Sequence, residues 1–459
     1  MNVLQRWPEP VVRVQSLSES GIEAIPDCYI KPIMDRPSVD VEESNEVNIP
    51  VIDLSGLNSD DAALRKATLE LISDACRAWG FFQVVNHGVS HQLMAETQKV
   101  WREFFQLTVE EKQKYANSPE TYEGYGSRVG VVKGAGLDWS DYFFLNYLPV
   151  SSRDENKWPS QPSTCRELVA KYNEEVLKLC GKLMKVLSIN LGLQEDYLEN
   201  AVGGDQIGAS LRVNFYPTCP QPDLALGLSP HSDPGTLTIL LPDDHVSGLQ
   251  VRKNDGWVTI KPIPNAFIVN LGDQLQVLSN GNYKSIEHRV LVNSLKERVS
   301  LAFFYNPRGD MVIEPANQLI MKDGPTQYQP MTFDEYPANL LLLRPFFLLF
   351  AAAATGLDTP PLLSSLWRSK SPVVVVLIVA ESEATVWAAF SREVITHAAA
   401  AVARESLYAT ARPDVGDREE LHVGRWRPGD GSLNRLCGHG RDRLDLLRWD
   451  IDMIVRCRH

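Results

Sequence analysis

The sequence predicts a mostly β protein with flanking helices: a jelly-roll barrel, or double-stranded β-helix, behind a helical N-terminal region. Three observations carry that expectation. From Ala209 to Tyr305, short runs rich in Val, Ile, Leu and Phe alternate with polar residues at a period of two. Pro217, Pro220, Pro222, Gly256, Gly272 and Gly281 punctuate these runs and leave no room for the crossovers that parallel strands need. Upstream, apolar residues recur at helical spacing over 60–79, 91–107 and 164–191.

In chain order, Met1 to Pro10 carries Arg6, Pro8, Glu9 and Pro10 without an apolar core, so it does not read as a signal peptide. A short strand over Ile49–Leu54 precedes the first helix. The strand-like Phe81–Val85 follows it and ends at Asn86-His87-Gly88, where the second helix begins. The helix over 164–191 alternates Leu, Met and Val with Lys and Glu. These textures divide the chain into an N-terminal mixed region (1–150), a helical buttress with the barrel (151–336) and a C-terminal extension (337–459). The extension holds 14 Arg, 1 Lys and 14 acidic residues, whereas the preceding residues hold 14 Arg, 16 Lys and 44 acidic ones. Its alanine and valine runs follow no sustained period, and the expectation is a poorly structured extension, of the kind out-of-frame or intronic translation yields.

The bulk composition is that of a globular protein, 44% hydrophobic and 22% charged. A net charge of −13 argues against a nucleic-acid surface. Seven cysteines, an odd number with no CxxC pair, read as buried free thiols in a reducing compartment. The longest apolar run, Asn339 to Ala354, is interrupted by Arg344 and Pro345 and falls short of the roughly 20 residues a spanning helix needs. A cytoplasmic monomer that binds neither nucleic acid nor membrane is the expectation, and the charge gives no lead on a small substrate.

The chemistry concentrates in three strands. In Leu228-Ser-Pro-His-Ser-Asp-Pro-Gly235, His231 and Asp233 are two apart, so on extended backbone they share a face. One imidazole and one carboxylate suit divalent iron, and His288, on a later strand-like segment, would complete a three-ligand set with open positions for a bidentate co-substrate and dioxygen. An HxD pair alone is weak evidence. In Arg298-Val-Ser-Leu-Ala-Phe-Phe-Tyr305, however, Arg298, Ser300, Ala302 and Phe304 share one face while Val299, Leu301 and Phe303 pack on the other. An arginine beside a hydroxyl on an interior face is a receptor for a carboxylate. In Leu211-Arg-Val-Asn-Phe-Tyr-Pro217 the same parity puts Arg212, Asn214 and Tyr216 on a polar face. That face suits a ligand inside a barrel, and equally an edge strand in water.

Read together, these residues resemble the plant 2-oxoglutarate/iron(II)-dependent dioxygenases over nearly all of 48–336. Ile49-Pro-Val-Ile-Asp53 and Trp79-Gly-Phe-Phe-Gln-Val-Val-Asn-His-Gly88 are similar to the family's N-terminal signature, and Asn214-Phe-Tyr-Pro217, His231-Ser-Asp233, His288 and Arg298-Val-Ser300 to its catalytic one. The resemblance implies that His231, Asp233 and His288 bind Fe(II). It implies that Arg298, Ser300 and Tyr216 hold the distal carboxylate of 2-oxoglutarate, with Asn214 near its keto-acid end, and that ascorbate serves as reductant. His87 and His245 read as structural. Within the family, Leu137–Phe144, Leu211–Pro217 and Leu301–Pro307 look most like the jasmonate-induced oxygenases, which hydroxylate jasmonic acid. By that likeness Arg212 would pair with the substrate carboxylate, while Phe144 and Phe304 would wall its ring and chain.

The chain departs from the family after Thr332-Phe-Asp-Glu-Tyr336. The relatives continue into a short helix with further substrate-facing arginines, whereas here Pro337-Ala-Asn-Leu follows. This departure leaves the iron and 2-oxoglutarate residues in place and bears on substrate affinity. Two alternatives stay open: a flavonoid-oxidising dioxygenase of the anthocyanidin or flavonol synthase type, and an inactive metal-binding paralogue.

Overall fold

A computed structural model describes residues 11–37, 48–127, 136–254 and 256–336. The expectations for Pro337 to His459, and for Met1 to Pro10, lie outside the described residues.

Among the described residues, twelve strands build the two sheets of the roll. They are β1 (Val51–Asp53), β2 (Phe81–Val85), β3 (Gly124–Gly126), β4 (Asp141–Leu148), β5 (Gly208–Tyr216), β6 (Leu228–His231), β7 (Leu237–Leu241), β8 (Leu249–Lys253), β9 (Gly256–Thr259), β10 (Phe267–Leu271), β11 (His288–Val290) and β12 (Arg298–Asn306). The larger sheet runs β1-β2-β10-β7-β12-β5-β4-β3 and the smaller β6-β11-β8-β9. From β5 onward the chain passes back and forth between the two sheets, which is the jelly-roll winding the strand texture predicts. All pairs inside the roll are antiparallel; β1 and β2 are parallel, joined by a helix. Strands from before and after residue 150 pair within the larger sheet, where β4 lies along β5 and β2 along β10.

The period-two pattern explains how the roll packs. On β5, β7 and β12 the odd positions, such as Leu211, Val213, Leu237, Ile239, Leu301 and Phe303, are buried in the main core. The helices upstream of the roll are α1 (Val14–Glu19), α2 (Ala62–Ala78), α3 (His91–Phe105), α4 (Val109–Gln113) and α5 (Cys165–Asn190), and α2, α3 and α5 send Ile72, Trp101 and Leu183 into the same core. Asp61 caps α2 through the N–H groups of Ala63 and Leu64, and Ser90 caps α3 through that of Leu93. Trp101 and Phe104 of α3 meet Phe143 at ring-centroid distances of 5.1 and 4.9 Å, and Phe105 stacks on Phe215 at 4.6 Å. Each such fully buried side chain contributes about 1.5–3 kcal/mol. The opposite face of the larger sheet looks into the roll. There Phe81, Tyr216 and Ile268 pack against Leu249, Val251 and Val290 of the smaller sheet.

Two elements are not evident from the periodicity of the barrel region. A short helix, Asp273–Leu278, follows β10, and β4 extends the larger sheet with Tyr142 and Phe144 on its inner side. The N-terminal segment also crosses the roll. Lys31 donates to the Leu137 carbonyl (2.8 Å) and pairs with Asp138 (2.7 Å), while Tyr29 meets Trp139 edge-on. Of the described cysteines, Cys76, Cys165, Cys180 and Cys219 are buried free thiols; Cys28 differs in being exposed.

Candidate active site

β6 and β11 pair with His231 directly opposite His288. Asp233 follows His231 by two residues and turns its carboxylate into the same space. Its Oδ1 lies 3.6 Å from His231 Nε2 and 3.7 Å from His288 Nε2, and the three donor atoms all fall within 4.8 Å of one another. Spacing of this kind suits three ligands of one small cation better than a hydrogen-bonded triad.

The surroundings fix each donor. His231 Nδ1 lies 2.9 Å from the Ser229 carbonyl, and His288 Nδ1 lies 3.2 Å from that of Ile286. A carbonyl only accepts, so both rings carry their proton on Nδ1 and leave the Nε2 lone pair for a metal. Burial, with His288 alongside, pushes His231 down to about 4, which keeps the imidazole neutral. Burial pushes Asp233 upward, but His288 and His231, with hydrogen bonds from Thr238 and Asn270, hold it below the usual carboxylate range. Those bonds, 2.6 Å from Thr238 Oγ1 and 2.8 Å from Asn270 Nδ2, go to Oδ2 and leave Oδ1 facing the histidines.

Beside this cluster the β5–β12 ladder sets Tyr216 across from Arg298 and Asn214 across from Ser300. All four are buried. Arg298 Nη1 donates to Ser300 Oγ at 3.3 Å, and the guanidinium carbon lies 5.1 Å from the centre of the Tyr216 ring. Arg298 Nε is buried without a hydrogen-bond partner among the described residues. A buried cation with an unused donor is stable only where an anion arrives to take it. The residues therefore fit a carboxylate ligand.

Model matches agree with this geometry. Residues 207–307 match the 2OG-Fe(II) oxygenase superfamily, and residues 49–161 match the N-terminal domain of the non-haem dioxygenase in morphine synthesis. The chain is 60% identical to jasmonate-induced oxygenase 2 of Arabidopsis thaliana over 333 residues, which is 72% of this chain and 90% of that protein. This chain belongs to the 2OG-Fe(II) oxygenase superfamily. Leucoanthocyanidin dioxygenase of Malus domestica is more distant, 39% identical over 72% of this chain and 95% of its own length. The crystal structure of JOX2 in complex with 2OG, Fe and JA superposes with a TM-score of 0.67 at 60% identity, covering 72% of this chain and 94% of that one. The enzyme is thus a dioxygenase that uses Fe(II) and 2-oxoglutarate, with ascorbate the reductant typical of its family.

Further along the inner face of this dioxygenase, Phe144 stands across from Arg212, Ala302 across from Arg212 on the other side, and Phe304 across from Ser210 and Thr238. Arg212, Phe144 and Phe304 are half-buried there. Arg212 Nε donates to Asn214 Oδ1 at 2.7 Å, and its guanidinium lies over the Tyr142 ring at 4.3 Å. Tyr142 is held in turn by Asn117, whose Nδ2 donates to its hydroxyl at 2.7 Å.

His87 and His245 stand apart from the metal cluster. His87 Nε2 bonds the Asn265 carbonyl and Nδ1 accepts from Val89 N, which ties a turn together. His245 is exposed in the loop after β7.

The residues that sequence pattern does not single out are the supporting ones: Thr238, Asn270 and Tyr142. A signal exists for two of them. Asn270 is a lone polar residue in Phe267-Ile-Val-Asn-Leu271, and Thr238 has the parity of the inner face.

Proposed function

We propose that this dioxygenase hydroxylates a small carboxylate-bearing plant metabolite, and that the metabolite is jasmonic acid, a hormone the reaction would inactivate. Iron is assigned to His231, Asp233 and His288. The distal carboxylate of 2-oxoglutarate is assigned to Arg298, Ser300 and Tyr216. Asn214 serves the keto-acid end through Nδ2, since its Oδ1 is already occupied by Arg212. Arg212 takes the substrate carboxylate, with Phe144 and Phe304 against its apolar parts.

The observation that carries the substrate reading is Arg212. It is a half-buried arginine on the inner face, oriented by Tyr142 and Asn214, with no acidic partner among the described residues. An oriented guanidinium with Phe144 beside it and Phe304 diagonal to it on the same face selects an anion with an apolar body, and a charge-assisted pair is worth about 1.5–3 kcal/mol. The 60% identity to jasmonate-induced oxygenase 2, against 39% to leucoanthocyanidin dioxygenase, supports the same choice. Flavonoids would call instead for polar partners to phenol rings.

Bound iron and 2-oxoglutarate supply the oxidation itself: dioxygen is consumed, 2-oxoglutarate leaves as succinate and carbon dioxide, and one oxygen atom enters a substrate C–H bond. The chain's own residues hold, orient and exclude water. Nδ1–H bonds fix both imidazoles, Thr238 and Asn270 turn Asp233 Oδ1 inward, and the apolar inner face around Ile268 and Val251 keeps the chamber dry. We read the protein as a monomer, and the free thiols support a cytoplasmic setting. Among the described residues no helix is long and apolar enough to cross a membrane.

The test is substrate-dependent succinate formation by purified full-length protein with Fe(II), 2-oxoglutarate and ascorbate. Turnover with jasmonic acid is expected. Turnover with flavonoids alone would move the substrate to the second class, and no turnover by a protein that binds iron would make it an inactive paralogue.

A further inference from the structure

Asp243 is fully buried, yet it lies outside the metal cluster. Its surroundings tell what it does. Leu241, opposite Leu301, is the last β7 residue paired with β12, and Pro242 follows it. Two residues earlier on β12, Val299 N–H has run past the end of β7. Asp243 Oδ2 accepts that N–H at 2.9 Å, standing in for the missing ladder carbonyl. Oδ1 accepts from His245 N (2.9 Å) and Val246 N (3.1 Å), which folds the loop back on itself. Arg102 of α3 reaches Oδ2 as an ion pair. Against burial, the N–H groups of Val299 and His245 and the Arg102 guanidinium hold this carboxyl below its ordinary range.

Val299 lies between Arg298 and Ser300. The loop that Asp243 folds also rests on Arg298: a Cβ added at Gly248 would lie only 3.3 Å from Arg298 Cδ. Pro242, Val246, Ser247, Gly248 and Arg298 line one small crevice. One carboxylate therefore fixes both the backbone that carries Arg298 and the loop that packs against its side chain.

We propose that Asp243 is a positioning residue for 2-oxoglutarate, setting the Arg298 guanidinium for the distal carboxylate, with Arg102 as its counter-ion. The proposal rests on the assignment of Arg298 to that carboxylate. A carboxylate is required because four donors converge on it; an amide offers one accepting oxygen and leaves a donor facing Arg102 or the backbone.

The test uses full-length protein loaded with manganese(II) in place of iron and measures binding of 2-oxoglutarate and of oxalate by calorimetry. Oxalate chelates a metal but has no distal carboxylate. Asp243→Asn should weaken 2-oxoglutarate on the order of tenfold and oxalate by less than about twofold, the scale expected when a hydrogen-bonded support behind a ligand group is lost. Arg102→Gln, which keeps the bonds to Val299, His245 and Val246, should act in the same direction. Unchanged 2-oxoglutarate affinity in either folded variant, or an equal loss for both ligands, overturns the role. Should Asp243→Asn fail to fold, Arg102→Gln decides alone. Arg298→Ala in the same assay tests the underlying assignment: if it does not discriminate 2-oxoglutarate from oxalate, Arg298 is not the anchor, whatever Asp243 does.

Discussion

His288 faces His231 across the β6–β11 pair, with ring centroids 4.2 Å apart and each Nδ1 bonded to the backbone carbonyl two residues earlier in the chain. The same local device is used twice, on strands that meet only in the folded roll. It leaves two Nε2 lone pairs converging beside one carboxylate oxygen.

His231→Ala removes one of three donors. Bound iron, measured by elemental analysis after desalting, should fall to a small fraction of the stoichiometric amount, with turnover lost. Substantial residual activity would take this histidine out of the metal shell.

Thr238→Val tests the support behind Asp233. The hydroxyl donates to Oδ2, so its loss frees the carboxylate to rotate and leaves Oδ2 with Asn270 alone. Iron affinity should fall about 10–100-fold while the variant remains folded. Competition with a chelator reads the change, and an unaltered affinity would show that Asn270 suffices.

Arg298→Ala should raise the 2-oxoglutarate KM by roughly 10- to 100-fold, since charge-assisted hydrogen bonds are worth about 1.5–3 kcal/mol. Steady-state succinate formation against 2-oxoglutarate concentration measures it. A KM like that of the parent protein would place the carboxylate elsewhere.

Arg212→Leu should raise the jasmonic acid KM by about tenfold or more and leave that of 2-oxoglutarate nearly unchanged. Tyr142→Leu should move the same parameter less, because it removes only the ring face under the guanidinium, worth about 0.5–2 kcal/mol. If both variants change the 2-oxoglutarate KM instead, the polar face of β5 serves one ligand and not two.

Truncation after Tyr336 should leave cooperative unfolding intact. The last described residues close on themselves, with Thr332 paired to Ile313's neighbour Val312 and Phe333 N bonded to the Met311 carbonyl. A melting temperature within a few degrees of the full chain's is expected for a change of under about 1 kcal/mol. Loss of the cooperative transition would show that 337–459 packs on the barrel.

Much of this site is legible before any coordinates. Period two along 211–217 and 298–305 assigns Arg212, Asn214, Tyr216, Arg298 and Ser300 to a common class of face, because successive side chains on a strand point to opposite sides. His231 and Asp233 share a face for the same reason. The helices expected over 60–79 and 91–107 are legible too, since α2 and α3 fall within those spans. The barrel's interruption by the helix Asp273–Leu278 is less so, since six residues of mixed polarity carry no clear period.

What only the tertiary structure decides is who stands opposite whom. A strand's own sequence fixes which side chains point inward but says nothing of its partner, and partners here lie far apart along the chain. Register alone brings Tyr216 to Arg298 and His231 to His288. The supports follow the same logic. Thr238 and Asn270 meet Asp233 Oδ2 because β7 and β10 are neighbours, and Asp243 meets Val299 because β7 stops short of β12. Local backbone geometry supplies the functional groups; long-range hydrogen bonding between strands gathers them into one site.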